Sequence, residues 1–260
     1  MEDNLKIGMF DSGIGGFSIY SEIQKALPGA DIFYIADQKY FPYGTKSTEE
    51  IQERAELLTT YLKNKLGVDI IVVACNTATV SALSNLRKNH PDIKFVGTVP
   101  AVKVCAAETR TGSIGVLCTP KTANSTYQKN LIKKHAGEKN VLIRACPGLV
   151  EKIEKGDVSQ DTLEEHLYFF KDKNIDSLAL GCSHFPLIRA EIQNYLGSGI
   201  SIVDPAPAIA KQTKRIVNNL KMLSKDEGSS YFYTTGTEHQ FNSMIKKHLN
   251  KAINSKHLTC

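Results

Sequence analysis

DIIVVACNTATVSAL, residues 69–83, runs from an aspartate through an apolar segment into a cysteine, an asparagine and two threonines. Residues 176–184, DSLALGCSH, repeat the order: aspartate, apolar residues, a small residue, cysteine, a polar residue. Cys75 and Cys182 stand 107 positions apart, as do Asp69 and Asp176. IGMFDSG from Ile7 meets IGVLCTP from Ile114 at that same offset of 107. Two separate stretches in one register point to a duplicated half, with one cysteine in each copy.

Short apolar runs recur along the chain and predict strands at Lys6–Phe10, Ile32–Ala36, Ile70–Ala74, Phe95–Thr98, Ile114–Leu117, Val141–Arg144, Ser177–Leu180, Ile200–Val203 and Tyr231–Thr234. Most are continuously apolar rather than alternating, the pattern of strands buried on both faces of a parallel sheet. Helical spacing fills the intervals: Tyr20, Ile23 and Leu27 within 17–27; Ile51, Ala55, Leu58 and Leu62 within 48–66; Val80, Leu83 and Leu86 within 77–88. Residues 162–171 and 185–196 read the same way. Strand and helix alternate, so the class is α/β with parallel sheets.

With 260 residues and 42% apolar content, the chain can bury one large core or two smaller ones. MEDNLKIGMF lacks the apolar region of a secretory signal. No apolar run nears the ~20 residues that cross a bilayer. A cytoplasmic protein without membrane attachment is expected. The six cysteines are scattered, without a CxxC pair, so neither a disulfide framework nor a zinc site is expected. Cys105, Cys118 and Cys146 read as packed thiols, and Cys260 as a disordered free thiol. His90, His135, His166, His239, His248 and His257 read as surface residues. Net charge is +5, and the segment 208–260 alone carries nine basic against three acidic residues. Without an aromatic-basic motif, this reads as a solvated helix face, IKKHLNKAINSKH at 245–257, with no nucleic-acid partner expected.

In open α/β sheets ligands sit at the carboxyl ends of strands, where both Cys75 and Cys182 fall. Each is followed by a predicted helix start, near Thr77 and near Ser183. A helix N-terminus favours a thiolate and binds carboxylates. Asp11 and Ser12 occupy a third strand-to-helix turn, with Gly13, Gly15 and Gly16 permitting close backbone approach. Two thiols reaching one ligand from opposite sides suit inversion of a carbon centre, one removing a proton and the other returning one. Asn76, Thr77 and Ser183 could stabilise the charge that develops.

FDSGIGGFS (10–18), FPYGTK (41–46), VACNTAT (73–79), VGTVPAVK (96–103) and LGCSHFPLI (180–188) together resemble glutamate racemase. CPGLVEKIEKG (146–156) and YFYTTGTEHQF (231–241) extend the resemblance over nearly the whole chain. It implies two pseudo-symmetric α/β domains facing each other across an active-site cleft. Residues 1–98 plus 208–260 would form the first, and 99–207, inserted into it, the second. It implies a cofactor-independent isomerase that interconverts L- and D-glutamate and supplies D-glutamate for peptidoglycan. Cys75 would take the α-proton of D-glutamate and Cys182 that of L-glutamate, assisted by Asp11 and His184, with Glu154 near the second thiol. Asp11, Ser12, Tyr43, Gly44, Asn76, Thr77, Ser183 and His184 match substrate-holding positions. Neither pyridoxal phosphate nor metal is implied, and a homodimer is left open.

This sequence departs from the family pattern at Ser183 and Thr79, where threonine and serine are usual, and at Pro205, where serine is common. Each departure bears on affinity more than on reaction type. Other readings stay open on the residues alone: a related racemase acting on aspartate, a hydrolase using Cys182 and His184, and a non-catalytic binding domain. A hydrolase needs only one thiol, and a dead domain has no use for two.

Overall fold

The computed structural model describes residues 4–220 and 227–260. Met1–Asp3 of the N-terminal stretch, and Lys221, Lys225 and Asp226 of the basic segment, lie outside the described residues. The chain divides into two compact units, one made of Met1–Thr98 with Ala206–Cys260 and the other of Val99–Pro205.

The first unit contains strands β1 (Lys6–Asp11), β2 (Asp31–Ala36), β3 (Ile70–Val73) and β4 (Lys94–Gly97), joined by helices α1 (Phe17–Ala26), α2 (Thr48–Asn64) and α3 (Asn76–Asn89). The second contains α4 (Val102–Glu108), β5 (Ser113–Cys118), α5 (Pro120–Asn124), α6 (Thr126–Ala136), β6 (Asn140–Ala145), α7 (Leu149–Lys155), α8 (Gln160–Leu167), β7 (Ser177–Gly181), α9 (Arg189–Leu196) and β8 (Ser201–Val203). The returning segment adds α10 (Ala206–Leu220), β9 (Ser230–Thr234), α11 (Glu238–Leu249) and β10 (Ser255–His257) to the first unit. Among the described residues the sheets run β10-β9-β2-β1-β3-β4 and β6-β5-β7-β8, all neighbours parallel. The orders β2-β1-β3-β4 and β6-β5-β7-β8 are one arrangement used twice. β1 and β5 keep the offset of 107 residue for residue.

Central strands are buried along their length, as their continuous apolar runs require. In the first unit, Leu58, Leu62, Ala82 and Leu86 of α2 and α3 pack with Phe10, Ile71 and Val73 of the sheet. An aromatic group of Phe17, Tyr20, Tyr34, Phe232 and Phe241 joins α1, the sheet and α11, with Phe17 stacked on Phe232 at 5.5 Å between centroids. The aspartates that open the repeated stretches anchor the opposite, amino ends of the sheets. Asp69 Oδ2 accepts the Lys6 N–H at 2.8 Å, and Asp176 accepts the Arg110 and Thr111 N–H groups at 2.6 and 3.0 Å.

All nine expected strands form, and β10 is an addition. Its sequence is SKH, so it has no apolar signal, and only its backbone pairs with β9. IKKHLNKAINSKH is therefore helical only to Leu249, stops at Asn250 with φ 49°, and then enters the edge strand. The helix expected over 162–171 gives way to a 3-10 turn at Tyr168–Phe170, and the one over 185–196 begins as a 3-10 turn at Phe185–Ile188. His166 is not a surface residue. It is 2% exposed, on the inward face of α8 with Leu163 and Leu167. Cys260 is not disordered. It packs against the first unit's core, with its Sγ 3.4 Å from Arg54 Nη2. His90 is half-buried against Glu56 at 2.6 Å. Cys105, Cys118 and Cys146 are buried free thiols, as expected.

Candidate active site

The carboxyl edge of the first sheet collects polar residues in strand order. Asp11 ends β1, Asp37 follows β2, Cys75 follows β3, Thr98 follows β4 and Thr235 follows β9. Backbone bonds continue the ladder past the strands. The Asp37 N–H donates to the Asp11 carbonyl at 2.8 Å, Ala74 to Phe10 at 2.9 Å and Thr235 to Ala36 at 3.0 Å.

Asp11 is fully buried, and its Oδ1 accepts the Gly13 N–H at 2.9 Å and the Ser12 hydroxyl at 3.3 Å. The glycine turn after Asp11 lies tight against the Cys75 segment. A Cβ on Gly16 would fall 2.8 Å from both the Ala74 Cβ and the Tyr34 hydroxyl, so only glycine fits without a shift.

Cys75 is the N-cap of the 14-residue α3 and is 5% exposed. It sits where the free N–H groups and partial positive charge of a full helix stabilise a thiolate. Asn76 opens that helix at 1% exposure, and among the described residues neither its Nδ2 nor its Oδ1 has a hydrogen-bond partner. Buried amides are rarely left so, and a functional role is one recognised reason for an exception. Thr77 is buried beside it. Thr79 and Thr98 brace the segment. Both hydroxyls donate to the Val73 carbonyl, at 3.2 and 2.8 Å, and the Thr98 N–H donates to Thr79 Oγ1 at 2.9 Å. Thr79 therefore has a structural task that a serine could share, and its methyl lies over Gly97, which leaves room for it.

Tyr43 is buried, and its hydroxyl donates to Asp37 Oδ2 at 2.6 Å. Burial, and then the Asp37 carboxylate, hold this phenol protonated well beyond the usual tyrosine range. Gly44 is half-buried in the 3-10 turn Tyr43–Thr45.

In the second unit Cys182 follows β7 at 4% exposure. A Cβ on Gly181 would meet the Cys118 Cβ at 2.8 Å and the Leu117 carbonyl at 3.0 Å, so the strand end is closely packed. Ser183 and His184 are buried, and His184 Nε2 lies 2.6 Å from Glu154 Oε2. A carboxylate only accepts, so this contact places the hydrogen on Nε2 and leaves Nδ1 as the acceptor in neutral histidine. Glu154 comes from α7, a helix bounded by left-handed Gly148 and Gly156. Cys118 ends β5 beside this group, and the Cys146 N–H donates to its carbonyl at 2.9 Å. Burial, and next Cys182, push the Cys118 thiol up to about 12, and burial drives Cys146 upward as well. Both stay neutral thiols, which agrees with a packing role.

Asp11, Ser12, Tyr43, Gly44, Cys75, Asn76 and Thr77 thus gather in the first unit, and Glu154, Cys182, Ser183 and His184 in the second. Sequence reasoning missed Asp37, Arg54 and Thr235. Asp37 carried a usable signal, because it follows DIFYIA much as Asp11 closes KIGMFD. Arg54 sits in a helix of mixed charge and looks like surface, yet it is buried against Asp37. Among the described residues no group of three or more His, Cys, Asp or Glu is placed to hold a metal ion, and no helix is long and apolar enough to cross a membrane.

Residues 7–213 match the family described as Asp/Glu/hydantoin racemase. A glutamate racemase of Aliarcobacter butzleri is 40% identical over 230 residues, covering 86% of this chain and 85% of that protein. The crystal structure of a Bacillus anthracis glutamate racemase is similar with a TM-score of 0.91 at 29% identity, covering 100% of this chain and 98% of that one. An Escherichia coli glutamate racemase, solved with L-glutamate and an activator, is similar with a TM-score of 0.86 at 31% identity, covering 98% of each chain.

Proposed function

The chain belongs to the glutamate racemases of the Asp/Glu/hydantoin racemase family, and from that premise we propose that it interconverts L- and D-glutamate by proton transfer at Cα between Cys75 and Cys182. The observation that carries the two-thiol reading is positional. The thiols occupy the same place in two copies of one strand arrangement, each directly past the carboxyl end of a central strand.

From D-glutamate, the Cys75 thiolate takes the α-proton, and the Cys182 thiol gives its proton to the opposite face of the same carbon. From L-glutamate the roles reverse. Each turnover exchanges which thiol is charged, so each needs a means of gaining and losing its proton. For Cys75 the means are the N-terminus of α3 and proton traffic with Asp11. For Cys182 the means is His184, oriented by Glu154. Asn76, with its uncommitted amide, and Ser12, Thr77, Ser183 and the Tyr43–Gly44 turn hold the substrate and steady the charge that grows beside its carboxylate. No pyridoxal phosphate or metal enters this scheme. The product supplies D-glutamate for peptidoglycan, in the cytoplasm.

The test is incubation of the full chain with D-glutamate in D₂O, without added cofactor, following the α-hydrogen by NMR and the optical rotation together. Loss of both signals is expected. Unchanged signals with D-glutamate but turnover of D-aspartate would move the substrate assignment.

A further inference from the structure

The scheme above leaves unused a buried charged pair at the carboxyl end of β2. Asp37 is fully buried and accepts four hydrogen bonds. Arg54 Nε reaches Oδ2 at 3.0 Å and Nη2 reaches Oδ1 at 2.8 Å, a two-point pairing. Thr235 Oγ1 donates to Oδ1 at 2.9 Å, and the Tyr43 hydroxyl donates to Oδ2 at 2.6 Å. Arg54 is itself fixed. Its guanidinium lies over the Tyr40 ring at 3.9 Å, and Nη1 donates to the main-chain oxygen of Cys260 at 3.2 Å.

A buried ion pair is poor evidence of stabilisation, since apolar replacement is often neutral or better. What this pair supplies is direction. The guanidinium fork fixes the plane of the Asp37 carboxylate, and that plane fixes where the Tyr43 hydroxyl must sit. Between Asp37 and Tyr43 the chain leaves the sheet edge through a 3-10 turn at Gln38–Tyr40 and comes back through Phe41–Pro42. The 2.6 Å bond closes that excursion and sets the Tyr43–Gly44 peptide beside the edge that carries Asp11 and Cys75.

We propose that Arg54 is a positioning residue for the racemisation. Acting through Asp37 and Tyr43, and without touching substrate, it holds the Tyr43–Gly44 turn in its substrate-binding place. The inference rests on the reading of that turn as a glutamate contact.

The test compares Arg54→Lys and Tyr43→Phe with the unaltered full chain. Lysine keeps the charge and loses the fork. Phenylalanine cuts the link and leaves the Asp37–Arg54 pair intact, which guards against a variant that fails to fold. Three quantities are read: hydrogen exchange of the segment 38–46 by mass spectrometry, KM and kcat for glutamate, and Tm. Faster exchange confined to that segment is expected in both variants. A KM rise of about tenfold is expected, with kcat within about threefold. Unchanged exchange in both variants overturns the proposal, and so does a loosened turn with unchanged KM. A drop in Tm alone would make the pair purely structural. If the unaltered chain leaves glutamate untouched, the functional reading fails on that observation, and the exchange data still decide whether Arg54 holds the turn.

Discussion

The two thiols occupy equivalent places in the fold and have different surroundings. Cys75 caps a 14-residue α-helix, shares its sheet edge with two carboxylates, Asp11 and Asp37, and adjoins an uncommitted amide. Cys182 is followed by a 3-10 turn, Phe185–Ile188, before α9 begins at Arg189, and has a buried histidine–glutamate pair nearby. The position equivalent to Asp11 in the second copy is Cys118, a neutral thiol. The two copies keep the strand order and a thiol past a central strand, while the surroundings of that thiol differ. A helix N-terminus and carboxylates accompany one thiol, and a histidine–glutamate pair follows the other.

This contrast can be broken most sharply at the thiols. Cys75→Ala and Cys182→Ala should each bring racemisation below about one thousandth of the unaltered rate. A variant that keeps full turnover would show that one unit suffices. The next effect separates the two environments. The enantiomers have equal free energy, so any variant loses kcat/KM equally in both directions, and asymmetry must be sought in isotope effects. His184→Asn should slow turnover about a hundredfold and raise the α-deuterium effect mainly from L-glutamate. Asp11→Asn should raise it mainly from D-glutamate. Equal isotope effects from both enantiomers would mean that the two groups serve both thiols.

The smallest effect lies at the other end of the sheets, where the repeat mates Asp69 and Asp176 also differ. Although burial opposes it, the Thr109 hydroxyl and the Arg110 and Thr111 amides bring the Asp176 carboxyl from 3.8 down to about 2. A depressed folded-state pKa contributes stability above the unfolded value and loses it as pH falls through the folded one. Between about pH 4 and 2, Asp176→Asn should therefore lose stability less steeply than the unaltered chain, as read by thermal melts across that range. Identical pH slopes would remove the anchoring role.

Much of this was legible because apolar runs, their fixed offset and a cysteine at each run's end are local signals. The nine strands and the class followed from them. β10 carried no such signal, since SKH pairs through backbone alone. The helix after Cys182 was misjudged because Pro186 suits the first turn of an α-helix and a 3-10 turn alike. His166 read as solvated because a polar residue in a helix pattern does not reveal that its face packs inward, and Arg54 went unnoticed because its partner Asp37 lies on another element. Asp37 was legible in the way it follows its apolar run, as Asp11 closes its own, and strand order then set the two side by side.

The returning segment has a consequence for synthesis. The unit Val99–Pro205 is continuous, so its four strands can close as soon as they leave the ribosome. The first unit cannot finish its sheet then. β2 pairs with β9, and the Tyr20 hydroxyl bonds Ser230, 210 positions further along the chain. Thr235, which completes the Asp37 group, is made later still. The inserted copy is therefore expected to fold while the N-terminal strands wait, with the edge of β2 exposed until the last part of the chain arrives to cover it.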